Sequence, residues 1–543
     1  MREHEIPVLI VGGSLVGLTT SMLLSAQGVP NLVVERHRGT AIHPRAASFH
    51  QRTMEVFRSV GLQQEVEQAA EREFMQGGAI VAVESLGGKE LKYFYRSYNQ
   101  GVEDLSPTPR LFITQVGLEP LIRERAASMG AQHRYGTELV SFQSSGDGVR
   151  AVVRSRDGGD EELISARYLV AADGAHSTIR ETLGIPMLGR GSFAHCVTIY
   201  FRADVRPMLG ERNLSVVYVN HPTLVGFFRF AINGDAGFLA VFVTSDADGS
   251  NRTTDIAENA SRERCVEYVR TALGCGDDVP IEIDSIQPWY AEAGWAQRFV
   301  DGPVLLAGDA AHVMPPTGGF GGNTGIGDAH NLAWKLAAVL DGTAGPGLLT
   351  TYDEERRPIG ALTAEQSYTR YVMRVDPTLP QDDLAPPLDD ASIELGAIYQ
   401  SGAIVSSPAD GGQPPLDDPF APSRRPGTRL PHVPVTWKGA SASMLDVAPH
   451  GFALLTGQDG GAWVDAADIV AAKLGVNLHG YRVGPGADLI ADEDAFTQAS
   501  GNSPDGAILV RPDGVIAWSA ADRVADPTSA VEAAVRHVLC RRD

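Results

Sequence analysis

The sequence predicts an α/β protein in three parts: a parallel βαβ unit, an inserted antiparallel sheet, and a second α/β unit at the C-terminal end. Three observations predict it. The chain opens on an aliphatic run, "PVLIV", which passes through "GGSLVGL" into a helical pattern and then a second aliphatic run, "NLVVE". Four strand-like runs follow one another between residues 195 and 244: "VTIYFRAD", "LSVVYVN", "LVGFFRFAI" and "GFLAVFVT". After residue 425, strands and helices alternate again.

The first unit carries a phosphate-binding turn. Residues 7–11 read as a buried strand, short and continuously aliphatic. Leu15, Leu18, Met22 and Leu23 then recur at helical spacing, and Gly28 closes the helix. Glu35 ends the second strand, 23 residues after Gly12 (35 − 12). In a Rossmann-like G-x-G-x-x-G turn, Gly12 allows the tight bend and Gly17 lets helix and strand pack closely. Position 14 must be small for a pyrophosphate to approach, and Glu35 accepts hydrogen bonds from a ribose. Ser14 replaces the middle glycine. It is small enough, provided its backbone stays in an ordinary conformation. Gly13, Leu15 and Val16 complete the turn. Arg36 is suited to a 2′-phosphate, but the charge of Glu35 disfavours one.

Further along, "LFITQVGLEPLIRERAASMG" gives a strand edge and a helix with Leu118, Leu121, Ile122 and Met129 inward. Strands follow near 137–143, 149–155 and 167–172. Several runs between 195 and 244 are apolar on both faces, as in a sheet whose second face roofs a pocket or meets another domain. "GPVLLAGDAAH" is a buried strand. A long Gly-rich loop, "PPTGGFGGNTGIGD", then feeds the helix "DAHNLAWKLAAVL", and a further helix covers 347–374. Residues 375–430, rich in Pro, Asp and Ser, mix linker with local structure. The tail holds two strands joined at Asp513-Gly514 and a closing helix over 527–540.

Composition narrows the partners. Lys+Arg is 45 against Asp+Glu 67, a net −22 that disfavours nucleic acid and anionic membrane. Four cysteines without a CxxC argue against a metal site or a disulfide framework, and fit a reducing cytoplasm. No signal peptide and no membrane-spanning apolar run are evident.

Two more motifs make the first one specific. One is "LVAADGAHSTIRETLGI", with Asp173, Gly174, Ser177 and Arg180; the other is "VLLAGDAAHVMPPTGGFGGNTGIGDAHNLAWKL". At these residues the chain resembles the single-component FAD-dependent aromatic hydroxylases of the p-hydroxybenzoate hydroxylase class (group A flavoprotein monooxygenases). It is most similar to their bacterial aromatic-polyketide members. The tail, with "LVRPDGVIAW", resembles the thioredoxin-like C-terminal domain of that subgroup. The implied domains are an FAD-binding domain (1–75, 105–185 and 285–375), a substrate-binding domain (76–104 and 186–284), a linker (376–425) and a thioredoxin-like domain (426–543).

The resemblance implies roles. Gly12, Gly13, Ser14, Leu15, Val16 and Gly17 hold the FAD pyrophosphate, with Glu35, beside Arg36, on the adenosine ribose. Arg45 touches the pyrophosphate and ribityl region, and Gln115 the ribityl or phosphate oxygens. Asp173 supports bound FAD, or simply caps the helix that follows it. Asp309 binds a ribityl hydroxyl. Pro316, Gly321, Gly322 and Asn323 lie beside the isoalloxazine ring. Arg370 and Arg374, four residues apart, share one helix face; by resemblance Arg374 faces the substrate, and both are otherwise solvated charges. His312 is read as a structural residue at a helix start, Trp289 and Trp295 as pocket wall or core.

The expected chemistry follows. The chain has one dinucleotide fold and no CxxC, so NADPH or NADH must bind transiently, reduce non-covalent FAD and leave. O₂ then yields a flavin C4a-hydroperoxide that hydroxylates a phenolic polycyclic substrate. The protein must position the ring, help deprotonate the phenol and exclude water. A helix start near the Gly-rich loop stabilises the reduced flavin's negative charge by ~0.3–2 kcal/mol. Baeyer–Villiger insertion, epoxidation or oxidative ring rearrangement on the same scaffold is the alternative, and a non-catalytic flavin-binding sensor a remote one. Residues 276–539 contain no cysteine, so the tail cannot exchange disulfides. A monomer or homodimer is expected.

Overall fold

The computed structural model describes residues 2–42, 47–244, 260–405, 415–447 and 449–541. Val8, Leu9 and Ile10 have no exposed surface. A strand apolar on both faces belongs inside a parallel sheet, and that is where Arg2–Val11 (β1) lies. Its sheet runs Val304–Leu306, Glu162–Ala171, β1, Asn31–Glu35 (β2), Gln132–Tyr135, all parallel. The helix Leu15–Ala26 (α1) packs between Gln115–Ser128 and Phe320–Leu340. Its Leu18, Met22 and Leu24 are fully buried, each such side chain contributing roughly 1.5–3 kcal/mol.

The second sheet has eight strands, and its long pair, Met187–Arg202 and Glu282–Ala296, is antiparallel throughout. Residues alternate between its faces. Val197, Ile199, Phe201, Phe228, Leu239 and Val241 meet the helix Arg262–Leu273. Cys196, Val225, Phe242 and Ala291 meet Tyr371 and Val375, at the end of the helix Thr350–Arg374. The sheet takes in all of Glu282–Ala296, so the inserted unit runs past residue 284, its expected end.

In the C-terminal unit, Phe452–Gly457 pairs in parallel with Leu478–Val483 and antiparallel with Ala507–Val510, which pairs with Ile516–Ala520. With helices Gly461–Leu474 and Pro527–Val538, this is the thioredoxin-like order.

One expectation is corrected. The Gly-rich run is not a loop up to residue 328: the helix begins at Phe320. The glycines serve close approach instead. A Cβ on Gly325 would lie 2.5 Å from Val16 Cγ2, and one on Gly327 would lie 2.9 Å from Arg356 Nη2. Each helical glycine costs roughly 1 kcal/mol relative to alanine, and tight packing against α1 offsets it.

Candidate functional site

Three distant motifs meet because they follow adjacent parallel strands. β1 ends at Val11, its neighbour at Ala171 and the next at Leu306. Gly12, Asp173 and Asp309 therefore emerge along one carboxyl edge of the sheet, where α/β folds bind ligands. Gly12 has φ +109°, and a Cβ there would fall 2.1 Å from Ala172 O; one on Gly17 would fall 1.9 Å from Gly12 O. Arg180 ties the second motif to the third by donating to Ala310 O at 3.1 Å. Asp309 is exposed on the turn Gly308–Ala310, and Pro316 is exposed, its carbonyl accepting from Gly319 N.

Ser14 has φ −100°, so glycine is not required there. Its side chain makes no capping bond to α1. It donates instead to Glu119 Oε1 at 2.5 Å and accepts from Gln115 Nε2 at 2.7 Å. Glu119 Oε2 in turn accepts from Ala41 N at 2.6 Å. The first N–H groups of α1 are thus left for an anion. Leu15 is core, while Val16 is wedged against Gly308 and Gly325. Glu35, 8% exposed, accepts from Gly13 N and His37 N, each at 2.7 Å. Arg36 is exposed; Arg45 lies outside the described residues.

Asp173 Oδ2 accepts from Ile179 N at 3.3 Å, while Ser177 is the N-cap of Thr178–Thr182. Asp173 Oδ1 is buried without a partner, and burial pushes this carboxyl up.

The helix Phe320–Leu340 has Gly319, in the left-handed conformation, as an N-cap without a side-chain cap. Gly321 has open space beside it, with only Met314 Cγ near a built Cβ, at 3.6 Å. Gly322 is half-buried in the same turn. The Asn323 side chain is fully engaged: it accepts from His50 N (2.9 Å) and Thr53 Oγ1 (2.7 Å) and donates to Ser48 O (3.0 Å) and Gly319 O (2.7 Å). His312 Nε2 pairs with Asp328 at 2.7 Å, and Asp328 also holds Arg356 at 2.8 Å, all buried. His312 lies in the short strand His312–Val313 and not at a helix start, and its ring is engaged in this buried cluster.

Across from this helix start, the inner face of the second sheet carries a ladder of aromatic rings. Successive centroids are 5.5 Å (Phe94–Tyr218), 6.1 Å (Tyr218–Phe227), 5.6 Å (Phe227–Phe238) and 6.0 Å (Phe238–Tyr200) apart. Phe94, Phe227, Phe238 and Tyr200 are half-buried, a state that suits contact with a flat ligand. The Arg374 guanidinium stacks over Phe94 at 4.9 Å. Trp289 donates to Thr198 Oγ1 on the same face. The two arginines differ. Arg370, 3% exposed, is locked to Asp390 Oδ1 (3.1 Å), Gln366 Oε1 (2.8 Å) and Leu388 O (2.7 Å).

A family model described as "FAD binding domain" matches residues 5–367, and one described as "Aromatic-ring hydroxylase, C-terminal" matches residues 423–541. The chain belongs to the FAD-dependent aromatic-ring hydroxylases. This hydroxylase is 46% identical over 541 residues to a 4-methyl-5-nitrocatechol 5-monooxygenase of Burkholderia sp, spanning 99% of this chain and 98% of the other. It is 38% identical to an aklavinone 12-hydroxylase of Streptomyces purpurascens, over 100% of both chains. The crystal structure of aklavinone-11 hydroxylase with FAD and aklavinone superposes with TM-score 0.92 at 38% identity, covering 100% of both chains. The flavin-dependent monooxygenase PieE, with FAD and substrate, follows at TM-score 0.86 and 29% identity, again over 100% of both chains. The fold, the FAD cofactor and the monooxygenase class of the hydroxylase stand on these matches and on the sheet order above.

Sequence reasoning missed four acids and bases of this hydroxylase. Glu119 lies four residues after Gln115, a helical pairing legible in principle. His50 follows the short strand Ser48–Phe49 and belongs to no motif of its own. Asp390 and Glu394 stand in the segment read as linker, where the short helix Asp390–Leu395 puts both on one face. Asp390 holds Arg370 and accepts from Tyr95 Oη at 2.7 Å; Glu394 holds Arg110 at 2.9 Å. Among the described residues there is no metal-binding group of side chains and no helix long and apolar enough to cross a membrane.

Proposed function

We propose that this hydroxylase inserts one oxygen atom from O₂ into an electron-rich phenolic ring at the expense of NADPH or NADH, with the ring held against the aromatic ladder. The observation that carries the reading is that ladder, with Arg374 at its end. Each stacked ring pair contributes about 0.5–1.5 kcal/mol beyond area burial, enough to orient a flat substrate across several contacts.

FAD is assigned to the two uncapped helix starts: its pyrophosphate to the first turn of α1 (Gly12 to Gly17), its ribose to Glu35, and its ring to Gly321 and Gly322. The uncapped donors, the glycine cradle and the partnerless Asp173 Oδ1 all fit such a group. Asp309 and Gln115 lie beside the path between the two ends. Asn323 contributes through its fixed backbone, because its side chain is engaged. When bound, FAD supplies the electrons and the oxygen activation.

The chain's own residues do the rest. Arg374 lowers the pKa of a phenol placed over Phe94 and stabilises the phenolate. Arg370 positions it, because Asp390 is shared between Arg370, Tyr95 and the field of Arg374. The second sheet excludes water from the ring.

The substrate is a polycyclic phenol by the full-length likeness to aklavinone-11 hydroxylase. A second reading, a monocyclic nitrocatechol, is favoured by the 46% identity to the Burkholderia enzyme. Both are tested by measuring NADPH oxidation with each phenol class and product mass under ¹⁸O₂. One labelled oxygen per turnover with one class selects it; none with either sinks hydroxylation.

A further inference from the structure

Behind the helix start at Phe320 lies a cavity of about 80 Å³ with a mixed apolar and polar lining, bounded among others by His50, Asn323, His330 and Glu394. At ~15 Å³ each, about five waters fill such a space. The Glu394 side chain is 2% exposed, with Oε1 3.8 Å from His50 Nε2. A methyl group on Gly319 would lie 3.7 Å from that same nitrogen. The His50 ring also meets Phe320 edge-on at 5.6 Å, and its backbone N donates to Asn323. A carboxyl group therefore stands one imidazole ring, that of His50, away from the helix turn assigned to the flavin ring, with room for water beside it.

We propose that Glu394 is a redox-linked proton acceptor, taking one proton from solvent when the flavin takes up two electrons. The balance is simple. FAD receives two electrons and one proton and becomes an anion. A second negative charge behind the same helix start is then disfavoured, and Glu394 is neutralised by a second proton. The reductant is NADPH or NADH in turnover, or dithionite in the test. The proposal rests on the placement of the ring at Gly321 and Gly322.

The surrounding groups leave Glu394 as the one poised to titrate. Burial first, then Asp390 and Asp389, raise it to about 7, against the pull of Arg110. Burial and Arg110 lower His50 to about 3, and burial with Arg52 does the same to His330. Burial and Glu394 itself push the Tyr98 hydroxyl far up. Asp390 is held low by Arg370 and Tyr95 despite its burial. Across the cavity, Arg52 and Arg429 are paired with Glu55, Arg356 with Asp328, and Asp513 with Arg511. Tyr399 binds Arg356.

The test is the midpoint potential of the bound flavin, measured spectroelectrochemically on the holoenzyme from pH 5 to 9. A flavin taking one proton per two electrons gives a single slope. With Glu394 as acceptor the slope doubles above about pH 7, and Glu394→Gln restores the single slope. The absorbance of the reduced flavin reports protonation of its own ring, so a doubled slope with an unchanged reduced spectrum belongs to the protein. Wild type showing a single slope throughout overturns the proposal, as does a doubled slope that survives in Glu394→Gln. Gly321→Leu separates the two layers. Unchanged FAD affinity in that variant overturns the ring placement and the proposal with it. Weakened affinity beside a single wild-type slope overturns the proton acceptor alone.

Discussion

Arg511 of the C-terminal unit grips Glu355, on the helix that ends at Arg374, through two bonds of 2.7 and 2.9 Å, with both side chains fully buried. Lys335 and Asp513 complete the cluster. Arg58 pairs with Asp446 and Arg429 with Glu55 across the same boundary. The thioredoxin-like unit, which has no dithiol, is thereby fastened to both helices that frame the site. Removing one partner of a buried pair costs about 3–5 kcal/mol, because the other charge stays behind. Arg511→Met should lower the denaturant midpoint by that equivalent and weaken FAD retention. A change below ~1 kcal/mol would mean that the cluster is hydrated in solution.

Acid should loosen the same boundary. Burial alone would raise the Glu55 carboxyl; Arg429 and Arg52 outweigh it and hold it at about 2. The sign follows from a depressed folded-state pKa. The stabilisation is complete above the unfolded value, near 4.3, and is lost as pH falls from there to about 2. The shift amounts to about 3 kcal/mol. Urea unfolding at pH 6, 4 and 3 should show this loss in wild type and a flatter pH dependence in Glu55→Gln. Parallel slopes in the two proteins would remove Glu55 from the acid response.

How much of this was legible beforehand depends on the range of the interaction. The α1 turn and the strand ends follow from local pattern: Gly12, Gly17 and Glu35 need only their own βαβ unit to be recognised. The start of the long helix at Phe320 was misread because glycine propensity opposes a helix. What overrides it is contact with Val16 and Arg356, far away in sequence. Glu119, His50, Asp390 and Glu394 were hidden for the same reason. Gln115 apart, Glu119 is held by Ser14 and Ala41, 105 and 78 residues away; Asp390 meets Tyr95 across 295 residues and Glu394 meets Arg110 across 284, and no spacing rule reaches that far. Spacing puts Arg370 and Arg374 on one helix face, but only tertiary contact separates the locked cation from the stacked one.

The adenosine end offers a direct binding test. Glu35 is already held by Gly13 N and His37 N, so its carboxylate is pre-oriented for a ribose. Charge-assisted hydrogen bonds of this kind are worth ~1.5–3 kcal/mol. Glu35→Ala should weaken FAD by roughly 10- to 150-fold at ~1.4 kcal/mol per decade. Calorimetric titration of the apoprotein measures it. Wild-type affinity in the variant would place the adenosine elsewhere.

The two arginines at the end of the long helix should fail in different ways. Arg370 is enclosed by Asp390, Gln366 and Leu388 O. Its loss leaves Asp390, 16% exposed at its side chain, with Tyr95 Oη as its partner and no cation in contact, at a cost of up to about 3–5 kcal/mol, so Arg370→Gln should show mainly as lost stability. Arg374 stacks over Phe94, at the end of the ring ladder, and is half-buried. A phenol with a pKa near 10 is a poor nucleophile, and a fixed cation beside it favours the phenolate. Losing one such charge-stabilising contact costs ~2.7–4 kcal/mol, or ~10²–10³ in rate. Arg374→Gln should therefore keep its fold and its FAD and still oxidise NADPH, but release hydrogen peroxide in place of hydroxylated product. Rapid mixing with product analysis reads both outcomes at once. A variant that hydroxylates at the wild-type rate with full coupling removes Arg374 from the reaction, and leaves the ladder to orient a substrate that arrives already ionised.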